Sequence, residues 1–385
     1  MGDVLIACDK FKGSADAEQV MTTLVDGIPG ARGFVVADGG DGTLRALKVA
    51  GLDAVPVRVT GPTGQAVDTE IVAGDGRVVV EMADACGMLR LPDGELAPLD
   101  ASSRGLGEAI LAAHGHLGPE GDLIVGLGGS ASNDGGCGVL VGLGARLLDS
   151  GGAELEPSAG VLGRVDTVDL SGIPAWVREV DVTLASDVDA PLLGERGAVR
   201  VFGPQKGLKG ADADQVEADM AHWADVLAAA TGHDPRETPG AGAAGGVGFA
   251  LMALMHTTAR SGIEVILEMT GFADALPGAD LVVTGEGSLD QQTLMGKTVA
   301  GVCRAAAAAG VPVEAVCGRT TLDDEEQAQL GIRRIHALVD RAPDTETAMS
   351  DALRLLAEVA ADIAAELDAT DTTGTTETTN GESGA

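Results

Sequence analysis

The sequence predicts an α/β protein. A five-stranded, doubly wound parallel sheet is built from both ends of the chain, and a second domain is inserted between them. Three observations carry this. Short apolar runs separated mostly by helix-like segments occur at 4–8 and 34–37 near one end, and at 281–283, 313–316 and 334–338 near the other. Between them the pattern changes to short β-like runs with glycine turns at 55–59, 66–72 and 78–82, which read as a meander. Several strand-like runs end in turns rich in Gly, Asp or Lys, at the carboxyl ends where open α/β sheets bind ligands. The expected division is 1–54 with 276–367 for the sheet domain, 55–275 for the insert, and 368–385 for a tail.

The first run ends in Asp9-Lys10-Phe11-Lys12-Gly13-Ser14, with Ser14 expected to cap a helix over 15–28. The second ends in Asp38-Gly39-Gly40-Asp41-Gly42-Thr43. Two aspartates spaced by glycines can take a hard cation or its waters, or can form an Asx turn with Asp41 near a helix start. In the meander, Pro56 suits an edge strand. A helix is expected from 103 to 114.

Residues 123–125 then lead into Gly126-Leu127-Gly128-Gly129-Ser130-Ala131-Ser132-Asn133-Asp134-Gly135-Gly136, and a helix-compatible run over 137–148 leads out. Strand, glycine loop and helix in that order let backbone N–H groups converge on an anion. Ser130, Ser132 and Asn133 add side-chain donors, and Asp134 could face a metal or cap the helix. The competing reading is a tight turn. No Gly-Lys-Ser/Thr follows the loop, and no second strand ending in an acidic residue sits at the spacing of a dinucleotide fingerprint.

A strand over 182–185 ends in Ser186-Asp187-Val188-Asp189-Ala190-Pro191-Leu192, and Phe202-Gly203-Pro204-Gln205-Lys206-Gly207 follows. An amphipathic helix is expected over 211–230. A second glycine-rich loop at 240–248 opens a helix reaching 255. The strand at 281–283 ends in Thr284-Gly285-Glu286-Gly287-Ser288-Leu289-Asp290. Helices over 299–309 and 345–367 complete the pattern. Residues 368–385 are mostly Thr, Gly, Glu and Asp without an apolar face, so disorder is expected there.

Composition narrows the function. The chain has 385 residues, 45% of them hydrophobic, long enough for two cores. It contains no run of about 18 apolar residues that would suggest a membrane span, and its start lacks the basic stretch of a signal peptide. Five scattered cysteines without a C-x-x-C pair suggest free thiols in a reducing cytoplasm. A net charge of −34 disfavours nucleic acid and anionic membranes as partners. Only six lysines are present, and Lys10, Lys12, Lys206 and Lys297 lie in glycine-flanked motifs, which suggests an anion site on an acidic chain. The six histidines are weak catalytic candidates, and no Ser–His pair has a recognisable nucleophile-elbow setting.

Carboxylates, lysines and glycine loops together are the components of metal-assisted phosphoryl transfer. The motifs from Asp9 to Ser14, Asp38 to Thr43, Gly126 to Gly136, Asp187 to Leu192, Phe202 to Gly207, and Thr284 to Asp290 with Gln292-Thr293 and Gly296-Lys297 resemble, in order, those of the bacterial glycerate kinase family. The resemblance covers about residues 3–366. It implies ATP-dependent phosphorylation of D-glycerate with Mg2+, usually to 2-phosphoglycerate. It also implies a flavodoxin-like domain carrying an inserted α/β domain similar to the restriction-endonuclease fold.

Roles follow as expectations. Gly128, Gly129, Ser130, Ser132 and Asn133 would cradle nucleotide phosphates or the glycerate carboxylate. Lys10, Lys12, Ser14 and Lys297 would face anionic groups, and Lys206 the transferring phosphate. Asp187 or Asp189 would be the general base, with Asp41, Glu286 and Asp290 as ligands of the metal or its waters. Turn capping by Asp187 and Asp290 is the competing reading. Two other functions stay open: a kinase of another small hydroxylated metabolite, and a nucleotide-binding protein or oxidoreductase without kinase activity. A homodimer is compatible with the sequence.

Overall fold

The computed structural model describes residues 2–37, 39–119, 121–294 and 298–374. The chain forms two compact units. One holds the residues up to Ala37 together with those from Ile266 onward, and the other holds the residues from Asp38 to Val265. The sequence reading put the breaks at 54/55 and 275/276. The difference at the first break arises because the helix Thr43–Val49 is tied to the second unit: its Leu44 N–H donates to the buried Glu81 carboxylate at 3.1 Å.

The first unit contains one five-stranded sheet. In space the strands run Arg32–Val35, Val4–Cys8, Leu281–Leu289, Val313–Thr320, Ile332–Ala337, and every neighbouring pair is parallel. Numbered within this sheet alone, that is the order 2-1-3-4-5, the flavodoxin-like doubly wound arrangement. All of Val4–Cys8 is buried, which is why it reads as an unbroken apolar run with no alternation. The first helix, Ala17–Gly27, starts later than expected. Asp16, not Ser14, is its cap, and it forms a capping box with Gln19. Phe11 and Ala15 close a bridge across the intervening turn, and this holds Ser14 outside the helix. Gly27 then lets this helix approach the long helix Ala352–Gly374, because a Cβ at Gly27 would meet the Ala360 Cβ at 2.5 Å. Helical backbone therefore covers 368–374, part of the stretch expected to be disordered. Residues 375–385 lie outside the described residues.

The second unit is built on a six-stranded mixed sheet. Its order is His256–Arg260, Asp181–Ala185, Leu123–Gly126, Arg77–Glu81, Ala66–Gly74, Asp53–Thr60. The first four are parallel to one another, and the last two return antiparallel. The meander is as expected, and Pro56 lies on the edge strand, where its missing N–H breaks no ladder. The helix after the glycine loop is only Cys137–Gly142. At Gly144 the backbone turns to φ +113°, and Arg146–Leu148 pairs as a strand with Thr167–Asp169. The core gathers Val80, Leu106, Ile110, Val125, Leu140, Trp223 and Phe249, all fully buried.

Candidate active site

In the second unit the four parallel strands deliver their motifs to one end of the sheet. Glu81 closes one strand in register with Gly126, which opens the glycine loop. Ala185 is also in register with Gly126, and Ser186 to Asp189 follow it. The Gly39-Gly40 turn lies against the loop. Gly128 N–H donates to Gly39 O at 3.4 Å, and Leu127 N–H donates to Ala185 O at 3.2 Å. A Cβ at Gly128 would stand 2.5 Å from the Gly40 Cα, so only glycine permits the approach. Three motifs that are far apart in the sequence, at 39–43, 126–136 and 186–189, are thereby assembled within this unit. Asp38 lies outside the described residues.

The loop presents backbone, not side chains. Gly128 is half-buried and Gly129, at φ +72°, is exposed, while everything from Ser130 to Gly136 is buried. Lys206 explains this burial. It sits on the short helical turn Pro204–Lys206, is 3% exposed, and donates through Nζ to Ser130 Oγ and to the Ser132 carbonyl, each at 2.6 Å. Burial pushes the ammonium down to about 8, against the attraction of Asp134. Lys206, expected to face the transferring phosphate, is thus the clamp of the loop. Asn133 Nδ2 donates to Pro98 O at 3.1 Å. Asn133 Oδ1 is buried without a hydrogen-bond partner among the described residues.

Asp134 takes the capping alternative. It is fully buried, and its carboxylate accepts from Ser103 N–H at 2.7 Å, Ser103 Oγ–H at 2.8 Å, and the Gly136 and Gly138 N–H groups at 3.2 Å each. Burial raises its carboxyl above the usual range, and the bonds from Ser103 and Gly136 oppose that rise. Glu81 went unnoticed in the sequence although it stands at the end of the apolar run Val78-Val79-Val80. It is 4% exposed, and burial lifts its carboxyl to about 8. Asp41, expected as a metal ligand, is exposed on the turn before the helix Thr43–Val49.

The two base candidates differ. Asp187 Oδ1 accepts from Ser261 Oγ–H at 2.7 Å and Gly262 N–H at 3.3 Å, at the start of the helix Gly262–Met269, so its carboxylate is oriented. Asp189 is 81% exposed at its side chain and meets only Arg196, at 3.2 Å, among the partners described for it. The strand His256–Arg260, which brings Ser261 to Asp187, was missed in the sequence because it is polar and mostly exposed.

In the first unit the candidates also gather at the carboxyl ends of the strands, around the switch point between Val4–Cys8 and Leu281–Leu289. Lys10 and Lys12 are exposed on the loop that follows Cys8, and Ser14 is half-buried. Asp9 accepts from Lys10 N–H at 2.6 Å and from Thr298 Oγ–H at 3.0 Å, tying this loop to the helix Thr298–Ala309. Glu286 Oε1 accepts from Thr293 Oγ–H at 2.6 Å. Asp290 Oδ1 accepts from Gln292 N–H at 2.8 Å, a turn-capping contact. Lys297 lies outside the described residues.

Among the described residues, no three of His, Cys, Asp and Glu gather as a metal cage. All five cysteines are free and buried. No helix among the described residues is long and apolar enough to cross a membrane.

Residues 4–368 match the model of the glycerate kinase family. The chain belongs to the glycerate kinase family. It is 41% identical over 377 residues to a glycerate kinase of Bacillus subtilis (strain 168), covering 94% of this chain and 97% of that one. It is 36% identical over 373 residues to a glycerate 2-kinase of Escherichia coli (strain K12), with 94% and 97% covered. The crystal structure of a candidate glycerate kinase 2 from Salmonella typhimurium LT2 aligns with a TM-score of 0.82 at 31% identity, covering 96% of this chain and 99% of that one. This glycerate kinase family chain is therefore a phosphotransferase.

Proposed function

We propose that the protein transfers the γ-phosphoryl group of ATP to D-glycerate with Mg2+, giving 2-phosphoglycerate. The observation that carries this reading is the clamped glycine loop. Its crest, Gly128-Gly129, is held at the carboxyl end of a parallel strand beside the Gly39-Gly40 turn and an oriented carboxylate, Asp187. A backbone crest with fixed geometry suits anionic oxygens, because its dipoles need no reorganisation as charge develops. Asp187, fixed by Ser261 and Gly262, is the base that would accept the proton of the attacking hydroxyl. Lys10 and Lys12 supply positive charge for substrate anions on a chain of net charge −34.

Glu286 and Asp41, each within its own unit, are alternative carboxylates that would hold Mg2+. Asp290, engaged by its own turn, is the least suited of the three. When bound, the ion neutralises phosphate charge. The relatives named glycerate kinase support the acceptor, and the relative named glycerate 2-kinase supports the C2 hydroxyl. The test is a coupled assay with ATP, D-glycerate and Mg2+, its product resolved by phosphorus NMR. A 2-phosphoglycerate signal that disappears with EDTA is expected. Absence of ATP turnover with D-glycerate, alongside turnover with another hydroxylated metabolite, would replace the acceptor.

A further inference from the structure

We propose that Arg319 is an oxyanion-binding residue of the first unit, gripping a pair of substrate oxygens with its guanidinium. The proposal rests on the phosphotransfer reading above. Arg319 lies near the end of the strand Val313–Thr320, in register with Ser288, while Cys317 is in register with Glu286. With side chains alternating along a strand, these four residues share one face. They stand at the carboxyl ends of two adjacent parallel strands, next to the switch point.

Many arginines of this chain pair with acidic residues, and Arg319 is among those with no described carboxylate partner. Arg32, Arg90, Arg146, Arg236 and Arg333 each hold a carboxylate. On so acidic a chain that is the expected fate of a guanidinium. Arg319 is exposed, and its described contact is with a neutral group: Nε donates to Ser288 Oγ at 3.3 Å. That bond steadies one edge of the guanidinium and leaves its Nη pair without a partner among the described residues. Glu286, on the same face, accepts from Thr293 Oγ–H at 2.6 Å. A planar fork steadied at Nε is matched to two anionic oxygens, and a lysine there would offer only a point charge.

Two substrates carry such oxygens: the carboxylate of the hydroxy acid and the phosphates of the nucleotide. Full-length Arg319→Gln and Arg319→Lys variants separate them, with KM measured for D-glycerate and ATP in turn. Isothermal titration with D-glycerate and with ADP gives a readout independent of turnover. In Arg319→Gln, KM and Kd for one of the two should rise roughly 10–100-fold, with kcat within about threefold, the scale of lost charge-assisted hydrogen bonds. Arg319→Lys should fall between, since it keeps charge without the fork. A rise confined to D-glycerate assigns the carboxylate, and one confined to the nucleotide assigns phosphate. Unchanged constants for both overturn the proposal, as does a fall in kcat with both Kd values intact. If the wild type does not phosphorylate D-glycerate, the functional reading fails, while the titrations still decide Arg319: binding weakened by Arg319→Gln upholds it, and binding left unchanged or absent from the wild type overturns it.

Discussion

The Lys206 ammonium lies 2.6 Å from the Ser130 hydroxyl oxygen, both groups buried, and its second bond reaches the Ser132 carbonyl at the same distance. One side chain thereby pins two alternate residues of the glycine loop. Lys206→Met removes both bonds. Loss of about 2–4 kcal/mol in urea unfolding is expected, with kcat lowered at least about 100-fold as the crest shifts. Ser130→Ala removes one bond and should cost about 1–2 kcal/mol.

Asp134 binds the loop to the segment before the helix Arg104–Ala113 through Ser103. Asp134→Ala leaves four buried donors without their acceptor. A loss of about 3–5 kcal/mol, read as a lowered denaturation midpoint, is expected. Ser103→Ala, which removes only a hydroxyl, should cost less than half of that.

Glu81 makes stability depend on pH. Its folded carboxyl is raised to about 8 from an ordinary 4.5, so the folded chain keeps a proton that the unfolded chain releases in that window. Its contribution is full below pH 4.5 and is lost as pH rises towards 8, with a limiting slope of about 1.4 kcal/mol per pH unit. Glu81→Gln mimics the protonated form. Melting curves between pH 5 and 8 should show the wild type losing stability relative to Glu81→Gln as pH rises. Parallel curves would exclude the assignment.

Gly128→Ala places a methyl group 2.5 Å from the Gly40 Cα, a backbone atom that cannot rotate away. The two turns must part. A cost of about 1–3 kcal/mol is expected from overpacking, together with a fall in kcat/KM on the order of 100-fold.

The two aspartates after Ala185 should separate in kinetics. Asp187→Asn is expected to lower kcat by about 10²–10⁴, the usual worth of a positioned base. Asp189→Asn breaks an exposed pair with Arg196 and should change kcat only about two- to threefold. Near-normal kcat in Asp187→Asn would move the base elsewhere.

The first sheet was legible because its strands are buried on both faces and read as unbroken apolar runs; Val4 to Cys8 is the clearest case. The meander was legible through its turns and Pro56. What escaped was set by tertiary context. His256–Arg260 has no apolar alternation, and only its pairing with Asp181–Ala185 makes it a strand. Ser14 and Asp16 are both good caps, and a bridge between Phe11 and Ala15 chose the later one. In the site, the residue types were legible but their directions were not. A lysine in a glycine-flanked turn reads as a cation facing the transferring phosphate, yet Lys206 points inward to a serine and a carbonyl. Glu81 carries no motif, and its importance comes from burial alone.

The first sheet places Val4–Cys8 between a neighbour made at once and another, Leu281–Leu289, made only after the interposed unit has been synthesised. At bacterial and eukaryotic elongation rates of roughly 5–20 residues per second, that wait is on the order of 15–55 s. The amino-terminal strand therefore leaves the ribosome as a hydrophobic segment with one side of its ladder open. The unit from Asp38 to Val265 can meanwhile close its own core, so the nascent chain finishes its middle before its beginning.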